Sequence, residues 1–172
     1  MTKTLTLLAS LLKVIVEPKL GRFIREDNDV TWYPIIPISE SGSSMGISSA
    51  GEWVVEVSEG IHHLDKPQLY VYVMVLLEKP YEDVYEEVLN ILKRTSVDEE
   101  PGCIFPFVEI VNAGLEQGSD YWAALAFGWF DMFSEEDKLR LRDALLKVMK
   151  AKWASQKIRQ KAKRELNKLN PD

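Results

Sequence analysis

The chain has 172 residues, 46% of them apolar and 28% charged, and carries a formal net charge of −6. That length and make-up describe one folded domain burying about 70% of its unfolded surface, which excludes whole-chain disorder and any need for a disulfide or metal staple. The one cysteine, Cys103, has no mate for an internal disulfide, so the expected setting is reducing and cytoplasmic.

Charge is unevenly spread. Residues 1–133 hold 9 basic and 21 acidic side chains, a balance of −12, whereas residues 134–172 hold 12 basic and 6 acidic, a balance of +6. An acidic body with a basic end suggests that different faces meet different partners.

At the N-terminus, Leu5 to Val16 is apolar but interrupted by Thr6, Ser10 and Lys13. Glu17-Pro18 then stands where a cleavage site would need small residues. The run is also too short to cross a bilayer, so no membrane role is expected. Leu5, Leu8, Leu12 and Val16 recur about every four residues and predict an amphipathic helix lying on the body.

Residues 27–51 read as an irregular segment rich in Ser, Gly and Pro, because Pro34 and Pro37 would each remove a ladder donor from a central strand. Residues 52–78 are ambiguous. Trp53, Val57, Ile61 and Leu64 fall at helical spacing, while Val54, Val55 and the apolar run Leu69 to Leu77 equally suit strands. Pro67 behind Asp65 resembles a helix start, and the expectation is helix.

From Tyr81 onward the helical pattern is plain. Tyr81, Val84, Tyr85, Val88, Leu89 and Leu92 form one apolar stripe, with acidic residues in the first turn and Lys93-Arg94 in the last. "SVDEEPG" reads as a connector. A helix is predicted over 103–116 with Pro106 in its first turn, and another over "YWAALAFGWFDMF", capped by Ser119 or Asp120. Ser134 and Asp137 resemble a capping box opening 135–150. Ile158, Ala162, Leu166 and Leu169 form the stripe of a last helix over 155–169.

Ile158-Arg159, Ala162 and Leu166 in "WASQKIRQKAKREL" resemble the second-helix signature of a HEAT-like repeat. A shift of 39 residues lays Ala123 on Ala162, Phe127 on Leu166 and Phe130 on Leu169, close to the repeat length of about 40 for such helix pairs. Asp120 stands where Arg159 would have its counterpart. The resemblance covers residues 103–169 and implies stacked helix pairs sharing a continuous core. The fold class expected is therefore mainly α. An N-terminal helix and irregular segment occupy 1–51, a helical body occupies 52–172, and HEAT-like stacked pairs form its C-terminal part. The alternative is α+β with a small sheet from 52–78.

Gly42-Ser43-Ser44-Met45-Gly46 matches G-x-S-x-G, the nucleophile elbow of serine hydrolases. An elbow needs a buried strand before the serine and an acid and a histidine later, and the only histidines are His62 and His63, close behind it. Ser44 thus reads as a loop residue, and a small serine hydrolase stays an alternative. Adjacent histidines on a helix diverge by about 100° and lack zinc-ligand spacing, so no metal or cofactor is expected.

Two charged clusters remain. Glu82, Asp83, Glu86 and Glu87 form an acidic helix face, a candidate docking surface for a partner protein. Lys157, Arg159, Lys161, Lys163 and Arg164 form a basic cluster able to meet phosphates or a partner, although it lacks interleaved aromatics and the pI is near 5.1. The expected function is a non-enzymatic protein–protein interaction module, an adaptor or an inhibitor of a partner. Its site would be the acidic face at 82–87 or a mobile loop at 41–49. A nucleic-acid binder using the basic C-terminal helix is the alternative.

Overall fold

A computed structural model describes residues 2–26, 28–39 and 42–169. Helix α1 (Thr2–Ile15) is followed by strands β1 (Lys19–Arg22), β2 (Asp29–Pro37), β3 (Ser44–Ser48), β4 (Trp53–Val57) and β5 (Gly60–His63). Two 3-10 helices, Pro67–Tyr72 and Met74–Glu78, lead into α2 (Tyr81–Thr95), α3 (Pro101–Ile104), α4 (Phe107–Glu116), α5 (Asp120–Phe130), α6 (Glu135–Arg140), α7 (Arg142–Lys150) and α8 (Gln156–Leu169). The mainly α expectation is overturned by the five-stranded antiparallel sheet, whose strands pair in chain order. The chain is α+β, and the sheet begins well before residue 52.

Segment 27–51 is not irregular. Apart from Asp27, Glu40 and Ser41, which lie outside the described residues, it is mostly β2 and β3. The proline argument fails for a specific reason. β1 pairs with β2 only from Asp29 to Trp32, whereas β3 pairs with it from Trp32 to Pro37. Pro34 and Pro37 therefore sit where β2 has become an edge on its β1 side, and a register shift falls between Pro34 and Ile36, the kind of place where a strand tolerates proline. Residues 53–63 form a hairpin rather than a helix, with Val57 opposite Gly60 across the turn.

Alternation along the strands sorts side chains to two apolar faces. Trp32, Val54 and Ile61 join Phe23 and Val30 in a small core enclosed by the curl of the sheet. The curl closes where Phe23 bridges Ile61 and the Ile24 N–H donates to the Ile61 carbonyl at 3.1 Å. Tyr33, Ile36, Met45, Ile47, Trp53 and Val55 face the other way, into the main core shared with the helices. On α1, Leu5, Leu8 and Leu12 are buried at the predicted spacing.

From Pro67 onward the elements are all helical, and the breaks between them are sharper than expected. The 103–116 segment is two helices, because Phe105 is extended and Pro106 stands before the first residue of α4. The 135–150 segment is likewise split at Leu141. The Ser134 cap is real: its Oγ accepts from the Asp137 N–H at 3.2 Å. Helix α4 packs on α5 and α7, and α7 packs on α8. No helix among the described residues is long and apolar enough to cross a membrane.

Gly46 marks the tightest point of the sheet. A Cβ there would lie 2.1 Å from the Tyr33 carbonyl oxygen and 2.9 Å from Pro34 Cα, both backbone atoms that cannot step aside. Gly46→Ala should destabilise the protein by about 3 kcal/mol, the upper end of ordinary overpacking. Gly102→Ala, with nothing within 4 Å of its added Cβ, should leave the urea midpoint within experimental error or raise it slightly. Equal effects of the two substitutions would contradict the packing described.

Candidate functional site: the acidic groove beside helix α2

Helix α2 forms for reasons visible in its residues. Val84, Val88 and Leu92 are buried, Glu82 and Asp83 occupy the first turn, and Lys93 and Arg94 the last. Its end is a Schellman turn: the Val97 N–H donates to the Leu92 carbonyl at 3.0 Å and the Ser96 N–H to the Lys93 carbonyl at 3.2 Å. Ser96 takes the left-handed conformation, φ 54°, where glycine is usual. This turn folds Val97 back toward the core and sends Asp98, Glu99 and Glu100 outward as three consecutive exposed acids.

Between α2 and this connector lies an open groove of about 380 Å³. Leu89, Leu92 and Val97 give it an apolar floor, and Asp98, Glu99, Glu100, Lys93 and Cys103 form its rim. Glu82 and Glu86 continue the line of Leu89 and Lys93 along the helix at spacings of four, three and four, so the acidic face and the groove form one strip. Glu82, Asp83 and Glu86 are exposed and, among the described residues, form no ion pair, as is also true of Asp98 and Glu99. Glu87 departs from the sequence reading. It is half-buried, pairs with Lys79 at 3.5 Å, and its Oε2 is buried without a hydrogen bond.

Tyr85 ties helix to rim. Its hydroxyl donates to Glu100 Oε2 at 2.7 Å. That bond, which the phenolate could not make, with smaller additions from burial and from the charges of Glu100 and Glu86, pushes the phenol up to about 12. Sequence reasoning took "SVDEEPG" as a connector and left its acids out of the candidate site; three adjacent acids beside an apolar stripe were the available signal.

The basic cluster does not converge. The Arg159 guanidinium donates to the carbonyls of Ala151 and Ala154, tying down the turn between α7 and α8. Lys161 pairs with Asp131 at 2.5 Å and lies over the Phe127 ring. Lys157, Lys163 and Arg164 are exposed. Two of the five cations are thus consumed internally, and the remainder make a thin patch.

The loop proposed at 41–49 is mostly strand: Ser44 to Ser48 form β3, while Ser41 lies outside the described residues. Ser44 opens that strand, and its hydroxyl donates to the Gly42 carbonyl at 3.5 Å. The two histidines sit on β5, where alternation sends them to opposite faces. His62 stacks on Tyr72 with centroids 4.5 Å apart, and His63 stacks on Phe23 at 3.8 Å with its nitrogens 3.3 Å from Glu52 and 3.7 Å from Glu26. Burial, and secondarily the Arg25 charge, push His62 below the ordinary imidazole range, against a smaller opposing pull from Glu59. The 140 Å³ recess there mixes Arg25 and Lys66 with Glu26 and Asp65, so its fixed charges cancel. No group of three or more His, Cys, Asp or Glu able to hold a metal ion occurs among the described residues.

Two expectations follow for the groove. Glu100→Gln should bring the Tyr85 ionisation down toward 10, read as phenolate absorbance and assigned with Tyr85→Phe. Because the folded phenol is raised, its contribution to stability is complete below pH 10 and is lost as pH rises toward 12. An unchanged titration in Glu100→Gln would break the link between helix and rim. Ser96→Gly should stabilise the protein by about 0.5–1 kcal/mol by relieving the left-handed strain, measured by urea melting. Comparison of the chain with protein-family models, with curated proteins and with solved structures returns no match.

Proposed function

We propose that the protein is a non-enzymatic protein–protein interaction module, an adaptor or an inhibitor of a partner protein, that engages its partner through the acidic strip along α2 and the connector. The observation that carries this reading is the pairing of an apolar floor with a rim whose acids are left without cations. Leu89 and Val97 are half-buried, and five carboxylates beside them, Glu82, Asp83, Glu86, Asp98 and Glu99, have no ion pair among the described residues. Some acids of the other helices do meet cations: Glu109 pairs with Arg140 and Glu116 with Lys147, both at 2.6 Å. An open, apolar-centred patch with a charged border has the anatomy of a transient interface.

The reading is tested by affinity capture from cells that make the protein, using the wild type and Glu82→Lys/Asp83→Lys/Glu86→Lys side by side. These three side chains are exposed, but Glu82 and Asp83 lie in the first turn of α2, so their reversal should cost about 1–3 kcal/mol through the helix dipole; circular dichroism checks that the variant is folded before capture. A stoichiometric protein partner held by the wild type and lost from the variant is the expected result. Capture of no protein partner by the wild type would overturn the proposal.

A further inference from the structure

We infer that the groove between α2 and the 97–103 connector takes a basic peptide segment with a single large aliphatic or aromatic anchor, a lysine- or arginine-flanked Leu, Ile or Phe. The inference rests on the interaction-module reading and names the chemistry of the partner. At about 380 Å³ the groove lies at the small end of the range for ligand clefts, about 300–1,000 Å³. It has room for an anchoring side chain together with its neighbours in an extended segment. The half-buried Leu89 and Val97, backed by the buried Leu92, offer the anchor apolar contact. The rim sets the sign of what flanks it. Asp98 and Glu99 are exposed and without an ion pair among the described residues, Glu86 precedes Leu89 by one helical turn, and Lys93 is the one basic side chain lining the groove. An acidic segment would be repelled by that charge, whereas a segment with cations on both sides of its anchor is drawn to it.

The groove is also held open before anything binds. The Schellman turn fixes its start, and at its far end the Trp53 Nε1 donates to the Ile104 carbonyl at 3.1 Å, anchoring α3 to the sheet. An occupant therefore meets a formed surface and need not order it first.

The probe is a phage library of random 12-residue peptides selected on the full-length wild-type protein. The recovered peptides are then synthesised and their Kd measured through a dye coupled to Cys103, an exposed residue on the rim and the chain's one cysteine. The expected peptides carry an apolar anchor between basic residues. Their Kd should rise about tenfold in Asp98→Lys/Glu99→Lys, from two lost attractions and two new repulsions of surface size. It should rise comparably in Leu89→Asp, with circular dichroism checking that both variants fold. Peptides without that pattern, or a Kd unchanged in Asp98→Lys/Glu99→Lys, would overturn the groove assignment, as would recovery of no peptide. If native capture still yields a partner in those cases, the interaction-module reading survives alone. Salt-sensitive self-association of the wild type that vanishes in Asp98→Lys/Glu99→Lys would assign the groove to a second copy, through its exposed Lys157, Lys163 and Arg164, and would equally overturn the inference.

Discussion

The structure turns on Trp53. Both faces of the sheet are apolar, so the sheet must curl around one set of side chains and have the other covered. Trp53 is where the cover attaches. Its ring meets Phe105 edge-on at 5.3 Å while its Nε1 donates to the Ile104 carbonyl. Phe105 contacts Phe107, and Phe107 contacts Tyr81, Tyr85 and Trp129, so one string of rings leads from the sheet to α2, α4 and α5. Trp129 ends the string with a hydrogen bond to the Lys79 carbonyl at 2.9 Å, which locks the entry into α2. An unmade bond at Trp53 would leave a buried indole N–H and a main-chain carbonyl without partners, each costing about 1–3 kcal/mol. The string therefore fixes position as well as adding apolar contact.

That arrangement explains why the connector from Ser96 to Pro106 is a shaped surface and not a slack loop. It is anchored at one end by the turn after α2 and at the other by the Trp53 junction, with Tyr85 gripping Glu100 in between. The charge asymmetry of the chain resolves in the same frame. Basic residues of the C-terminal third reach back to acids of α4 and to the residue that ends α5, as in the pairs of Arg140 with Glu109, Lys147 with Glu116 and Lys161 with Asp131. Along α2 and the connector, Glu82, Asp83, Glu86, Asp98 and Glu99 have no such partner among the described residues.

How much of this could be read from the residues depended on whether the controlling contact was local. The stripe of α2, the Ser134 cap and the buried positions of α1 were legible, because helical periodicity and capping are decided within a few residues. The sheet was not. Trp53, Val57, Ile61 and Leu64 mimic a helical face because the hairpin turn at Ser58-Glu59 interrupts the alternation on either side of it. Pro34 looked prohibitive because nothing local says that β1 stops pairing before reaching it. Of the candidate site, the exposed acids of α2 were legible. The inward turn of Glu87 and the internal use of Arg159 and Lys161 were not, since each depends on a partner distant in sequence or on the packing of a following helix.

The division of labour within the groove follows from the same distinction between apolar floor and charged rim. Exposed carboxylates in water contribute little apiece to affinity, typically less than about 1 kcal/mol, and salt screens them. Their larger effect is to draw a cationic segment in and to reject an anionic one. In the proposed complex the floor would act in the opposite way: burial of one aliphatic or aromatic side chain against Leu89 and Val97 would be worth at most about 1.5–3 kcal/mol, little affected by charge screening. An interface assembled from these two parts would associate quickly and discriminate by charge, with its lifetime set by the single anchor. Such kinetics suit a reversible adaptor, whereas a tight inhibitor would need contacts beyond the groove, and the exposed Glu82, Asp83 and Glu86 extend the strip in the direction where those contacts would fall.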